Sequence, residues 1–97
     1  MTLLVTDAAA ADVAEAAVWY EARQPGLGEV FVVTVDVMLE QIHEHPLRCR
    51  VVHAALRRAL LPRFPYSIFY CVDHDHLVVL GVLHGSRDPS VWLDRRP

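Results

Sequence analysis

A chain of 97 residues, 54% hydrophobic and 22% charged, supports one modest core and is too short for two domains. That composition excludes a disordered chain, and with only Cys49 and Cys71 present it also excludes a disulfide framework. No basic leader precedes an apolar stretch, and no apolar run approaches the ~18 residues of a membrane span. A soluble, cytoplasmic protein with free thiols is the expectation.

The formal charge of −3 conceals an asymmetry. Residues 1–46 carry eight acids and one base, Arg23. Residues 47–72 carry five arginines (Arg48, Arg50, Arg57, Arg58 and Arg63) and no acid, and residues 73–97 carry four acids and three arginines. An acidic first half followed by a basic middle points to an anionic partner for one part of the molecule only.

In chain order, "LLVT" (3–6) reads as a short strand, and Asp7 as the N-cap of an alanine-rich helix over 8–23. Val13, Ala16, Ala17 and Tyr20 fall on one face of that helix, the expected buried stripe. "QPGLG" (24–28) stops it. The next segment, 29–45, sets two rules against each other. Its valines favour a strand by propensity. Phe31, Val35, Met38, Leu39 and Ile42 repeat as one helical face, however, and the unbroken run is too long for an ordinary strand. A second helix is the expectation, ended by Pro46. Val30, Val33 and Val37 then form a further apolar stripe, either a wider core contact or a partner surface.

The remainder reads as three strands, 57–61, 66–72 and 77–84, with a "PRFP" turn between the first two and residues 73–76 closing a hairpin between the last two. The third strand is apolar on both faces, as a covered central strand should be. The predicted fold class is α+β in the order β-α-α-β-β-β, with a helical hairpin packed on a small, mostly antiparallel sheet. One domain spans 1–97, with no repeat or linker.

Three stretches together, "WYEARQPGLGEVF" (19–31), "RRALLPRFPYSIFY" (57–70) and "VLGVLHGSRDPSVW" (79–92), resemble the RelE/ParE superfamily of bacterial toxins. These are the toxin components of type II toxin–antitoxin, or plasmid stabilisation, modules. The resemblance implies the same fold and a helical second segment. For activity it implies one of two things. RelE-like members are ribosome-dependent endoribonucleases that cut messenger RNA. ParE-like members poison DNA gyrase and are not nucleases. Both are neutralised by a cognate antitoxin lying across the toxin.

A nuclease needs a base, an acid and cations for the phosphate. His84, Arg87 and Arg58 are the candidate catalytic residues, His84 because imidazole titrates near neutrality. Arg57 and Arg63 are candidates for gripping phosphate or a protein target, with Tyr66 and Trp92 as stacking rings. The bland reading of His84 is a side chain that holds the "HGSRD" corner through backbone hydrogen bonds. Arg57 and Arg58 point to opposite faces of a strand, so at most one serves a given site. "WYE" (19–21) reads chiefly as helix-to-sheet packing. A net acidic chain without lysine, whose arginine-rich segment has no carboxylate beside it, departs from the strongly basic nuclease pattern. The balance therefore leans toward a gyrase poison. A fold-preserving member without toxicity, acting only as a binding module, is the third alternative.

An antitoxin segment is expected to cover Val30, Val33 and Val37 and to place its acids near the arginines. Monomer and homodimer through the second helix both stay open. "CVDHDHLV" (71–78) has metal-type ligands but reads as a solvated turn, because aspartate favours turns and no third ligand is fixed nearby. No metal and no other cofactor is implied.

Overall fold

The computed structural model describes residues 1–86. Strand β1 (Thr2–Val5) leads directly into α1 (Asp7–Arg23). Between them Thr6 is extended, and its hydroxyl accepts the Ala9 N–H at 3.1 Å. Thr6, not Asp7, is therefore the N-cap, and the strand ends one residue earlier than the sequence suggests. Asp7 lies in the first turn, where its carboxylate meets the positive end of the helix dipole.

The link from α1 to α2 (Leu27–Glu44) is tighter than "QPGLG" implies, because α2 begins two residues before position 29. Gly26 adopts the left-handed conformation at φ +89° and offers no side chain to cap the new helix. Glu21, in the last turns of α1, supplies the cap instead. Its two carboxylate oxygens accept the N–H groups of Gly26 at 2.9 Å and Gly28 at 3.0 Å. The helices approach closely here, since a Cβ on Gly28 would stand 2.5 Å from the Ala17 carbonyl oxygen.

The valine-rich segment is a helix, so its period outweighs its strand propensity. Phe31, Val35 and Ile42 are buried on the sheet, with Met38 and Leu39 partly buried beside them.

A five-stranded sheet carries the hairpin, in the order β1-β5-β4-β3-β2. β3 (Leu56–Leu60), β4 (Tyr66–Asp73) and β5 (His76–His84) match the three expected strands to within a residue or so. β1 runs parallel to β5, and the other pairs are antiparallel. The additional strand is β2 (Arg50–His53), an edge strand exposed along its whole length. With no buried face it shows no alternation of apolar and polar residues, which is why it is silent in the sequence.

β5 lies between β1 and β4 and is buried on both sides, as expected. A bulge interrupts its pairing: Tyr70 faces Val79, while Phe69 faces Gly81, leaving Leu80 as the extra residue. Leu77 and Val79 face the helices before the bulge; after it the alternation shifts, and Val82 and His84 face them. The helix-side core joins Ala16, Phe31, Val35 and Ile42 to Ile68, Tyr70, Leu77, Val79 and Val82. On the other face Leu56, Phe69, Cys71, Leu80 and Leu83 form a second buried cluster.

Candidate functional site

The bulge places His84 in a cleft of about 460 Å³ between α1 and the end of the sheet, with Asp12, Glu15, Trp19, Tyr20, Tyr66 and Ser86 among its walls. Tyr20 and Tyr66 line the cleft, and behind them lies an aromatic cluster of the core. Tyr20 stacks on Phe31 at 5.4 Å, Phe64 from the "PRFP" turn meets both rings edge-on, and Tyr66 lies 5.1 Å from Phe31 and 5.2 Å from the His84 ring. Trp19 stands at the rim, half-exposed, with the Arg23 guanidinium 4.4 Å over its ring. The "WYE" stretch thus divides into three roles. Tyr20 packs as expected, Trp19 lines the cleft, and Glu21 caps the next helix.

His84 is held by its own turn. Its Nδ1 accepts the Ser86 N–H at 3.0 Å and lies 2.8 Å from the Ser86 hydroxyl. A ring whose Nδ1 accepts a backbone N–H carries its neutral-form proton on Nε2. Its lone pair is therefore committed to the corner, and Nε2 faces its surroundings as a donor. Asp12 also serves the backbone: an oxygen of its carboxylate accepts the Val82 N–H at 3.0 Å, beyond the point where β1 stops pairing with β5. Asp12 and Glu15 belong to no motif of the sequence. Only their spacing of three residues marks them, since it puts both on one helix face.

The arginines stand elsewhere. Arg57 faces the helix side, where its guanidinium donates to the carbonyls of Leu47 at 3.0 Å and Cys49 at 2.6 Å. Beside it the buried Tyr70 hydroxyl donates to the Pro46 carbonyl at 2.8 Å. Burial, followed by the neighbouring Cys49, raises the Tyr70 phenol far above its ordinary range. Together the two side chains tie residues 46–49 to the sheet. Arg58 faces the other way, and its Nε donates to the buried Ser67 hydroxyl at 3.0 Å. Arg58 and His84 are thus on opposite faces of the sheet. Arg63 is exposed in the turn after β3, in a left-handed conformation at φ +70°. Of the remaining expected site residues, Tyr66 lines the cleft, while Arg87 and Trp92 lie outside the described residues. Among the described residues, no arginine lines the cleft.

Val30, Val33 and Val37 form an exposed stripe along α2, with Val33 and Val37 each about half-exposed (52% and 48%). They lie outside the buried face and present aliphatic surface to solvent. In the 73–76 turn the exposed His74 approaches Asp73 at 3.7 Å. Among the described residues no three histidine, cysteine, aspartate or glutamate side chains converge on one point, and no helix is long and apolar enough to cross a membrane.

Comparison with known proteins adds the family. Residues 3–89 match the family described as "ParE toxin of type II toxin-antitoxin system, parDE". No curated protein matches the chain. Among solved structures, the fold is similar to a chain of the "Chromosomal ParDE TA system from P. aeruginosa", with a TM-score of 0.65 and 21% identity over 87% of this chain and 95% of that one.

Proposed function

Since the chain belongs to the ParE toxin family of type II toxin–antitoxin systems, we propose that it halts bacterial growth by poisoning DNA gyrase and has no nuclease activity of its own. The observation that carries this reading is the bonding of His84. A general base must offer its lone pair to the reacting proton, and the Nδ1 lone pair is taken by Ser86. The described walls of the cleft bring carboxylates and rings near that imidazole where a nuclease would need cations for phosphate. Arg58, on the opposite face, cannot join His84 on one substrate atom. Gyrase poisoning requires only a surface that engages the enzyme, and exposed Arg63, with Tyr66 and Trp19 at the cleft, suits that role. Gyrase acts in the cytoplasm, so the toxin works there.

The partner that silences it is a cognate antitoxin, in keeping with the two-component system of the structural neighbour. The exposed stripe of Val30, Val33 and Val37 fits the apolar face of an antitoxin helix. Induced expression without the neighbouring antitoxin gene is expected to arrest growth, with chromosomal breaks and intact messenger RNA. Codon-positioned messenger cuts on ribosomes would replace this reading with the RelE-like one. Unimpaired growth would leave only a binding module.

A further inference from the structure

We propose that the cleft beside His84 is a receptor for a cation, and that the protein engages its target by taking an arginine side chain of that target among Trp19, Tyr66 and the Glu15 carboxylate. The proposal rests on the reading above, in which the cleft faces the target, and it names the chemistry the target must present.

One face of α1 builds the wall. Glu15, Ala16 and Trp19 follow Asp12 by three, four and seven residues, so the four side chains stand along the same side of the helix, and all of them line the cleft. Tyr66 and His84 supply rings from the sheet. The lining thus holds two carboxylates and, among the described residues, no lysine or arginine to answer them. Asp12 spends one oxygen on the Val82 N–H. Glu15 is exposed and makes no hydrogen bond or ion pair with the described residues.

The rings favour the same ligand as the acids. An aromatic face attracts a cation, and tryptophan does so most strongly. Trp19 already shows this, since the Arg23 guanidinium lies 4.4 Å from the centre of its ring. Arg23 itself stands one turn further along α1 and does not line the cleft. Rings beside a carboxylate suit a cation that is flat and carries several N–H groups. A guanidinium meets both demands, because it stacks on the rings while its fork meets the two carboxylate oxygens; an ammonium brings only the charge. Phosphate and other anions would face two like charges here. The volume of about 460 Å³ falls within the ~300–1,000 Å³ of ordinary ligand sites. It has room for an arginine together with part of the segment that carries it.

The test follows the indole N–H signals of isotopically labelled full-length protein by nuclear magnetic resonance. The chain has two tryptophans, and Trp19→Phe identifies the signal of Trp19. Three capped tripeptides are the probes: Gly-Arg-Gly, Gly-Lys-Gly and Gly-Gln-Gly. None contains gyrase, so the titration judges the cleft's ligand while the gyrase reading stands or falls on its own cleavage assay. The arginine peptide is expected to shift the Trp19 signal with an affinity about tenfold higher than the glutamine peptide, the lysine peptide falling between them. Glu15→Gln, its fold checked by circular dichroism, is expected to lose most of that preference. Glu40→Gln, an equal loss of charge at an exposed position of α2, should keep it. Arg87→Gln should keep it as well. No shift of the Trp19 signal, equal affinity for the arginine and glutamine peptides, or an undiminished preference in Glu15→Gln would overturn the proposal. Lysine binding at least as tightly as arginine would overturn the choice of a guanidinium. Loss of the preference in Glu40→Gln would reduce it to the net charge of the helices. A preference that emerges only in Arg87→Gln would overturn the proposal in favour of the chain's own arginine as the occupant.

Discussion

Glu21 and Gly28 show how single residues shape this fold. Glycine inside a helix ordinarily costs about 1 kcal/mol relative to alanine, so Gly28→Ala would be expected to stabilise α2. Here the added methyl group meets the Ala17 carbonyl oxygen at 2.5 Å, a backbone atom that cannot turn aside. Urea unfolding of Gly28→Ala should therefore show a loss of about 1–3 kcal/mol, the usual cost of overpacking. Glu21→Ala removes the acceptor of two helix N–H groups. It should cost about 1 kcal/mol, as the loss of a cap does, even though Glu21 is exposed and far from α2 in helix register. If Glu21→Ala unfolds at the parental urea midpoint, the hydrogen bonds across the hairpin contribute nothing.

At the scale of elements, side chains make the joins that the backbone ladder leaves open. Asp12 continues the edge of β5 where β1 ends, through its bond to the Val82 N–H. Tyr70 and Arg57 hold residues 46–49, the connection that delivers β2 to the sheet edge. The raised phenol of Tyr70 has a consequence for pH. In the folded protein the proton stays on at pH values where an unfolded tyrosine, with its ordinary pKa of about 10, loses it. The unfolded state then binds fewer protons, so stability is full below pH about 10 and falls as pH rises above it. Cys71, raised by burial and then by the Asp73 charge, adds a loss of the same sign. That loss begins lower, at the ordinary thiol pKa of about 8.5, so the limit of pH about 10 is that of the Tyr70 contribution alone. Denaturation midpoints at successive alkaline pH values should decline in the parent and decline less steeply in Tyr70→Phe. An identical slope in both would assign the loss to other groups. Tyr70→Phe should also cost about 1–2 kcal/mol at neutral pH through the abandoned hydrogen bond. The sequence discloses these elements unevenly. α2 is legible despite its valines because Phe31, Val35 and Ile42 keep one helical period over the whole segment. β2 is not legible, because an exposed edge strand has no face to mark. The N-cap could not be chosen from "TD", since both residues cap well and only the chain direction at Thr6 decides. The bulge at Leu80 hides inside a continuous apolar run, so the sequence does not mark the face on which His84 emerges.

For the molecule as a whole, the layered build separates three surfaces: the valine stripe outside the helices, the cleft at the sheet end, and the sheet face that carries Arg58. Val33→Asp/Val37→Asp should weaken antitoxin binding at least tenfold while shifting folding stability by no more than about 0.5 kcal/mol per site, as exposed substitutions do. Calorimetric titration with the antitoxin and thermal unfolding of the variant check both halves, and unchanged affinity would remove the stripe from the interface. The most direct test of the central reading is a cleavage assay with purified gyrase, supercoiled DNA, ATP and this protein. Accumulation of gyrase-linked cleaved DNA, dependent on the toxin and abolished by the antitoxin, is the expected result. Intact DNA throughout, together with toxin-dependent messenger cuts when ribosomes are supplied instead, would contradict it.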